Sequence, residues 1–142
     1  MEHRNLTDVV FKLSIDLGLQ LEGSPELEGI DIPQIQMRVL RLVLEAQEVT
    51  PLAVAKAIRR DKGHVTRLLA ELTTKELVEI LPSPRDGRSK IVTLTPKSLD
   101  IFTRVRAAEG VIFRQAVTGI DEKKLETFFD VAEKISRNLS SG

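Results

Sequence analysis

Two clusters of basic side chains are the residues of this sequence best suited to recognise a ligand. One lies between Lys62 and Arg67, and the other lies between Arg85 and Lys90. Guanidinium and ammonium groups bind phosphates through charge-assisted hydrogen bonds. The two clusters therefore predict a surface that binds a polyanion.

The residue types that catalysis and metal binding need are scarce. The 142 residues include no Cys, Trp or Tyr and only two His, which are His3 and His64. The lack of Cys excludes disulfides, thiolate ligands and thiol-based redox sensing. Because a transition-metal site needs several imidazole or thiolate ligands, we predict no metal site and no cofactor. We predict no catalytic residue either, since no Ser-His-Asp order, phosphate loop or productive carboxylate pair occurs.

Charge is balanced over the chain but not along it. Residues 1–55 carry 4 basic and 9 acidic side chains (net −5), residues 56–90 carry 9 and 5 (net +4), and residues 91–142 carry 8 and 7 (net +1). A basic middle in acidic surroundings is typical of an element that binds a polyanion. Glu26, Glu28 and Asp31 could form a carboxylate site, but an acidic loop without a partner base is more typical of a solvated connection.

The overall composition is that of a soluble globular chain, with 42% hydrophobic and 30% charged residues. Charged residues interrupt the apolar residues of the first twenty positions. We therefore predict neither a signal peptide nor a membrane span, and we expect the protein in the cytoplasm.

The spacing of apolar residues and the capping residues predict six helices and one hairpin. Strong helix-start signals are Thr50-Pro51, Asp61, Thr95-Pro96 and Asp121. The predicted helices cover 6–22, 33–46, 51–59, 62–75, 96–116 and a stretch after 121, and the predicted strands cover 77–81 and 90–95. The side chains that we expect the third helix to bury are Leu52, Val54, Ala55 and Ile58.

This order of elements is mainly α with a small β-hairpin wing, which is a winged helix-turn-helix with dimerising N- and C-terminal helices. We expect a single such domain over residues 1–142. Its DNA-binding lobe is expected at about 33–95, and its dimerisation helices at about 5–22 and 96–140.

The fourth helix is the predicted recognition helix, because its apolar residues share one face and leave a basic face outside. Free N–H groups at its start also favour a phosphate. At the hairpin tip, Arg85 and Arg88 flank a tight turn and could enter a narrow minor groove, with Asp86 orienting an arginine. The predicted DNA-binding residues are Lys62, His64, Thr66, Arg67, Arg85, Arg88 and Lys90.

Apolar stripes on the terminal helices predict a homodimer, because they exceed what a small winged domain can cover. The alternative is that these helices fold back into one monomeric core. The predicted dimerisation residues are Leu6, Val10, Leu13, Ile101, Val105, Ile112, Leu125, Phe128, Ile135 and Leu139.

Several segments together resemble one known family. Residues 61–69 are similar to the start of its recognition helix. Residues 77–79 are similar to the segment that leads into its wing, and 86–97 are similar to the wing itself with an Asp-x-Arg tip. Pro33, Gln34 and Leu40 match its second helix. It is the MarR (multiple antibiotic resistance regulator) family of bacterial transcription factors. The resemblance covers nearly the whole chain.

The resemblance implies a homodimer, formed by the first helix with the last two, that binds a pseudo-palindromic operator in double-stranded DNA. Such proteins are mostly repressors and occasionally activators. Many release DNA when a small molecule, often phenolic or anionic, enters a crevice between the dimer helices and the DNA-binding lobe. The sequence itself identifies no effector.

Three positions depart from the family pattern. Glu76 stands where Gly is common, which predicts that the turn after the recognition helix forms differently. Ile80 replaces a common Arg and removes one expected phosphate contact. Ser98 replaces a frequent Gly after the wing, and we expect little consequence.

Two other classes of function remain open at this point. A winged-helix adaptor that binds protein would explain the fold but not basic residues on both DNA-facing elements. A small hydrolase or transferase would need a catalytic group that the sequence does not supply. A solvated basic face is also common on helices, so binding to heparin or duplex DNA that salt reverses is the discriminating observation.

Overall fold

The computed structural model describes residues 4–141, and most of them lie in helices or in one hairpin. The helices are α1 (Leu6–Glu22), α2 (Gln34–Ala46), α3 (Pro51–Ile58), α4 (Lys62–Thr74), α5 (Pro96–Ala116) and α6 (Glu122–Ser140), and the strands are β1 (Val78–Pro82) and β2 (Lys90–Leu94). The predicted order of elements is confirmed over these residues. His3 lies outside the described residues.

Helix ends differ from the prediction by one residue, for local reasons. α2 begins at Gln34, and Pro33 is the residue before its first turn. α3 ends at Ile58 rather than 59, because Arg59 adopts a left-handed conformation with φ of 53°. α4 ends at Thr74 rather than 75.

The hairpin of β1 and β2 is antiparallel, with Val78 opposite Leu94 and Pro82 opposite Lys90. β1 is shifted by one residue from the predicted 77–81, and β2 ends one residue earlier than predicted. The second strand ends there because the Thr95 side chain caps α5, where its Oγ1 accepts the N–H of residue 98.

A third backbone segment joins this hairpin between α2 and α3. Val49 donates its N–H to the Val92 carbonyl over 3.3 Å, and Val92 donates to the Val49 carbonyl over 2.7 Å. No sequence pattern predicts this bridge, because a single paired residue produces no alternation of apolar and polar side chains.

Contacts divide the chain into two compact units, one of which is Pro25–Arg106. Its core is apolar and includes Val39, Leu40, Val43, Val54, Val65, Leu72, Leu77, Val78 and Val92, each exposed by 2% or less. The prediction for α3 was wrong at Leu52, which is 62% exposed, whereas Val54, Ala55 and Ile58 are buried. Leu52 lies roughly a third of a turn from the centre of that buried face.

The other unit contains the two ends of the chain, up to Ser24 and from Ala107. Within the described residues, α1 and α6 bury no side chain. Burial in this unit falls on α5, at Ala108 and Ile112. Asp121 precedes α6 as predicted, but its side chain makes no capping hydrogen bond. Between residues 4 and 141, no helix has both the length and the apolar character needed to cross a membrane.

Candidate nucleic-acid interface

α4 is oriented by one continuous apolar face. Its buried side chains, at helical spacing, are Val65, Leu68, Leu69 and Leu72. Because this face packs into the core of the unit, the opposite face lies at the surface. Lys62, Thr66 and Arg67 are exposed there as predicted, and His64 is half-buried.

Asp61 caps the start of α4. Its Oδ1 accepts the His64 N–H over 2.8 Å. That hydrogen bond is the main reason why the pKa of Asp61 lies below its ordinary value, and the charges of His64 and Arg67 lower the pKa further. One of the N–H groups that we expected to face a phosphate is therefore already taken by a carboxylate.

The hydroxyl of Thr66 is also partly committed. Thr66 Oγ1 donates to the Lys62 carbonyl over 2.8 Å, one helical turn earlier. A hydroxyl has one hydrogen to donate but two lone pairs. Thr66 can therefore accept a hydrogen bond from a ligand, and its methyl group can make an apolar contact.

The turn that follows α4 corrects the expectation for Glu76. Glu76 itself adopts the left-handed conformation, with φ of 59°. Its N–H donates to the Thr73 carbonyl over 3.0 Å, and the Leu77 N–H donates to the Leu72 carbonyl over 2.9 Å. These two bonds form a Schellman motif, which is commonly made with Gly at this position. The turn therefore forms in the usual way, at the expense of a strained non-glycine backbone.

Side chains at the start of α5 donate hydrogen bonds to the turn that follows α4. Ser98 is fully buried, and its Oγ donates to the Leu77 carbonyl over 2.5 Å. Thr95 Oγ1 donates to the Glu76 carbonyl over 2.7 Å. Ser98 is thus part of the joint between α4 and the wing, which the sequence analysis did not anticipate.

Asp86 organises the wing tip through backbone groups. Its Oδ1 accepts the N–H groups of Arg88 and Ser89, each over 2.8 Å, and its Oδ2 accepts the Ser89 hydroxyl over 3.0 Å. The Ser89 N–H, and next the Arg88 N–H, keep the pKa of Asp86 below its ordinary value. We expected Asp86 to orient an arginine; its carboxylate accepts the backbone N–H of Arg88 and holds the backbone of the loop.

The loop that carries the wing arginines is closed by backbone hydrogen bonds. The Ser83 N–H donates to the Ser89 carbonyl over 2.7 Å, and the Gly87 N–H donates to the Ser83 carbonyl over 3.2 Å. Gly87 has φ of 24°, which suits a residue without a side chain. The side chains of Arg85, Arg88 and Lys90 are exposed around this loop.

One buried polar residue of the unit was also missed. Gln36, in the first turn of α2, is only 3% exposed. Its Nε2 donates to Glu71 Oε2 over 2.8 Å, and its Oε1 accepts from Lys75 Nζ over 2.7 Å. Gln36 therefore links α2 to the recognition helix, a contact that no sequence signal indicates because it joins residues far apart in the chain.

A cleft of about 440 Å³ lies within the unit Pro25–Arg106. Loop 29–32, the end of α4 and the start of α5 line it. Its charged lining comprises three cations and two carboxylates, which are Lys75, Lys97, Arg104, Asp31 and Asp100. The cleft therefore has an excess of one positive charge.

The cations of the cleft make hydrogen bonds to uncharged oxygen atoms. Lys97 Nζ donates to the Lys75 carbonyl over 2.9 Å. Arg104 donates to the carbonyls of Glu26 and Glu28, over 2.8 and 2.5 Å. These contacts do not neutralise the positive charge, so an anion can still compete for it. They also show that the acidic loop is held through its backbone. Across residues 4–141, no group of three or more His, Asp or Glu side chains could hold a metal ion.

The predicted dimerisation residues differ in burial. Those exposed by 42 to 71% are Leu6, Val10, Leu13, Phe128 and Leu139. Those half-buried are Ile101, Leu125 and Ile135, and those buried within the chain are Val105 and Ile112. The last two already support the fold of a single chain, so the exposed residues of α1 and α6 are the ones available to a partner.

An antiparallel wing after a short helix, a turn and an amphipathic helix defines a winged helix-turn-helix protein. A family model described as "MarR family" matches residues 30–89. The curated multiple antibiotic resistance protein MarR of Salmonella typhimurium is 34% identical over 92 residues, which is 65% of this chain and 64% of that protein. The chain thus matches less than two thirds of that relative's length.

Solved structures extend the similarity to nearly the whole chain. The reduced form of MarR from E. coli has a TM-score of 0.70 at 25% identity, covering 95% of this chain and 98% of that one. A MepR variant from S. aureus has a TM-score of 0.81 at 22% identity, covering 98% and 99%, which shows the shared fold. These comparisons show that the chain is similar to MarR-family transcription regulators.

Proposed function

We propose that this protein is a transcriptional regulator that binds a pseudo-palindromic operator in double-stranded DNA as a homodimer. The observation that carries the proposal is the orientation of α4. Its apolar face is buried, and Lys62, Thr66 and Arg67 remain exposed on the other side. In winged helix-turn-helix proteins this second helix of the motif enters the major groove.

α4 and the wing have different tasks in this proposal. Arg67 can make a paired contact to guanine, and Thr66 can accept a hydrogen bond from a base amino group or touch a thymine methyl. Arg85, Arg88 and Lys90 surround an ordered loop and contact phosphates or a narrow minor groove. Base discrimination therefore comes from α4, and the wing adds affinity for any duplex.

Dimerisation is supported by the apolar faces of the terminal helices. α1 and α6 carry large apolar side chains but bury none of them within the described chain. Leu6, Phe128 and Phe129 are each at least 50% exposed. Exposed apolar surface on this scale marks an interaction site. A symmetric pair of chains covers such surfaces and matches the two halves of a pseudo-palindromic operator.

The sign of regulation and its control form the finer part of the proposal. A relative from Pseudomonas putida, 25% identical over 120 residues, is named as the transcriptional repressor IacR. We assign repression to this chain as well, with release by a small anion in the cleft beside Lys75, Lys97 and Arg104. A DNA partner also favours a cytoplasmic location, which we include in the proposal.

Selection of bound duplexes from a random pool tests the proposed DNA binding. The wild-type protein should enrich one sequence with a two-fold repeat, and log affinity should fall linearly with log salt. An arbitrary duplex of the same length is the control. Failure to bind either duplex or heparin would contradict the proposal and favour an adaptor that binds protein.

The effector part is tested separately with benzoate and with benzylamine as its oppositely charged match. Benzoate should weaken operator binding, whereas benzylamine should not, because the cleft carries excess positive charge. Peroxide and zinc should leave affinity unchanged, since the chain has no Cys. A several-fold effect of peroxide or zinc would overturn this part and leave DNA binding intact.

A further inference from the structure

We infer that Gln36 is a positioning residue for base recognition. Its hydrogen bonds to Glu71 and Lys75 set the rotation of α4 about the helix axis. The inference rests on the proposed DNA binding and adds a specificity-determining residue that does not touch DNA. The Gln36 amide is buried, at 3% exposure, and both its nitrogen and its oxygen are hydrogen-bonded.

Both ends of the Gln36 amide carry charge-assisted hydrogen bonds. The Nε2 group donates to the Glu71 carboxylate over 2.8 Å, and the Oε1 atom accepts from the Lys75 ammonium over 2.7 Å. Glu71 lies in α4, and Lys75, four residues later, is its C-cap with helical backbone angles, so the two side chains project to the same side. The amide therefore spans the last turn of α4 and fixes two points, one in the helix and one at its end.

Other contacts of α4 to the core are less selective. Within α4 itself they come from the apolar side chains of Val65, Leu68, Leu69 and Leu72. The hydrogen bonds from Thr95, Lys97 and Ser98 reach only residues 75–77, which follow the helix. Apolar packing favours burial but depends weakly on direction. Hydrogen bonds depend strongly on both distance and angle. The Gln36 amide is thus the contact best suited to select one rotation of α4 among several that would bury the same leucines.

The side of α4 that Gln36 contacts also carries Arg67, which we propose contacts the bases. Arg67 and Glu71 are four residues apart on α4, and the C-cap residue Lys75 follows four residues later on the same side. A small rotation at Glu71 moves the tip of Arg67 sideways relative to a base edge. In addition, a Glu71 carboxylate released from Gln36 lies within reach of Arg67 and competes with DNA for its guanidinium group.

The Gln36 amide has a donor end and an acceptor end. Exchanging the amide at position 36 and the carboxylate at position 71 therefore tests whether these hydrogen bonds matter. A carboxylate at position 36 would repel the Glu71 carboxylate. A carboxylate at position 36 together with an amide at position 71 would restore both hydrogen bonds. The bond between positions 36 and 71 would reverse its direction, and the Lys75 ammonium would still donate to an oxygen of residue 36. A structural role that depends only on packing does not predict this rescue.

The experiment measures affinity for the selected operator and for a scrambled duplex, together with thermal unfolding. Gln36→Met keeps the length of the side chain and removes both hydrogen bonds, while the methionine gains apolar contacts. Its unfolding midpoint should therefore fall by no more than that of the Ser98→Ala control. The variant should bind the selected operator about tenfold more weakly and the scrambled duplex equally well. Q36E should lose at least as much, and Q36E with E71Q should return to within about threefold of wild type.

Ser98→Ala is the matched control, since it removes a buried hydrogen bond of the same unit that does not involve the side of α4 that Gln36 contacts. It should lower the unfolding midpoint and leave the ratio of the two affinities unchanged. The inference is overturned if Gln36→Met keeps the wild-type ratio, or if its loss of binding only follows a loss of stability.

Hydrogen exchange separates this inference from the proposed function. Amides in the last two turns of α4 should exchange about tenfold faster in Gln36→Met than in wild type, whether or not DNA binds. An unchanged exchange rate in Gln36→Met would show that Gln36 does not hold α4. A faster rate in a protein that binds no duplex would contradict the proposed function but support Gln36 as the residue that holds α4.

Discussion

The unit Pro25–Arg106 and the unit formed by the chain ends use their apolar residues in opposite ways. The first has a core in which Leu40, Val43 and Leu72 are fully buried, whereas α1 and α6 of the second bury no side chain. The first unit has enough internal contacts to hold its own elements. The second leaves apolar faces for another surface, so its stability is expected to depend on a partner chain.

The comparison also explains where each kind of substitution should act. A cavity in the first unit affects folding of a single chain. A charge on the second affects association, because no side chain of α6 is buried within the chain itself. The following predictions separate these outcomes, and the largest effect comes first.

Leu72→Ala should destabilise the protein by about 2–5 kcal/mol, because the side chain is fully buried at the centre of the first unit. Urea unfolding followed by circular dichroism measures the loss. Leu52→Ala is the control in the same unit, since Leu52 is 62% exposed and should cost far less. Equal losses in the two variants would show that the core has been misplaced.

Phe128→Glu should convert dimers to monomers and raise the dimer dissociation constant at least about 100-fold, because an unpaired charge in an apolar interface is costly. Sedimentation equilibrium over a concentration series measures the change. Lys134→Glu, on the opposite side of α6, should leave the constant unaltered. A wild-type protein that is monomeric at micromolar concentration would refute the proposed dimer.

Ser98→Ala should cost about 1 kcal/mol, because the Leu77 carbonyl keeps only a longer hydrogen bond, 3.3 Å from the Thr95 N–H. Ser98→Gly should cost more, since glycine also weakens the first turn of α5. Ser140→Ala provides the comparison, because its hydroxyl donates to a backbone carbonyl on an exposed helix. An equal effect at both serines would argue against the proposed joint.

Glu76→Gly should stabilise the protein by about 0.5–1 kcal/mol. Relief of the left-handed strain, about 1–2 kcal/mol, exceeds the extra entropy that glycine loses on folding. Thr74→Gly should do the reverse, because residue 74 is helical. Differential scanning calorimetry compares the two, and a lower midpoint for Glu76→Gly would contradict the role assigned to its backbone.

Local signals allowed much of this fold to be predicted. Thr50, Asp61 and Thr95 do act as helix caps, and each accepts a backbone N–H as its sequence context indicated. The apolar face of α4 was also identified, because four residues at helical spacing specify one side. In α3, only eight residues long, the same reasoning misplaced Leu52, since a short helix leaves the width of its buried face undetermined.

What sequence could not supply depends on contacts between distant residues. Gln36 meets Glu71 and Lys75 across 35 and 39 residues, and Ser98 meets Leu77 across 21. No local pattern marks such pairs. The wing shows the same limit on a smaller scale, because Asp86 was expected to orient an arginine, whereas the hydrogen bonds by which it holds the loop backbone were not predicted.

The most direct measurement of the central claim compares Arg67→Ala and Arg88→Ala on the selected operator and a scrambled duplex across a salt series. Arg67→Ala should cost about 1–3 kcal/mol on the operator and relax its preference at particular positions. Arg88→Ala should weaken both duplexes and reduce the salt slope by about one per subunit. Arg137→Ala on α6 serves as the control. If Arg67→Ala leaves the affinity ratio unchanged while Arg88→Ala abolishes it, the wing and not α4 is the reader.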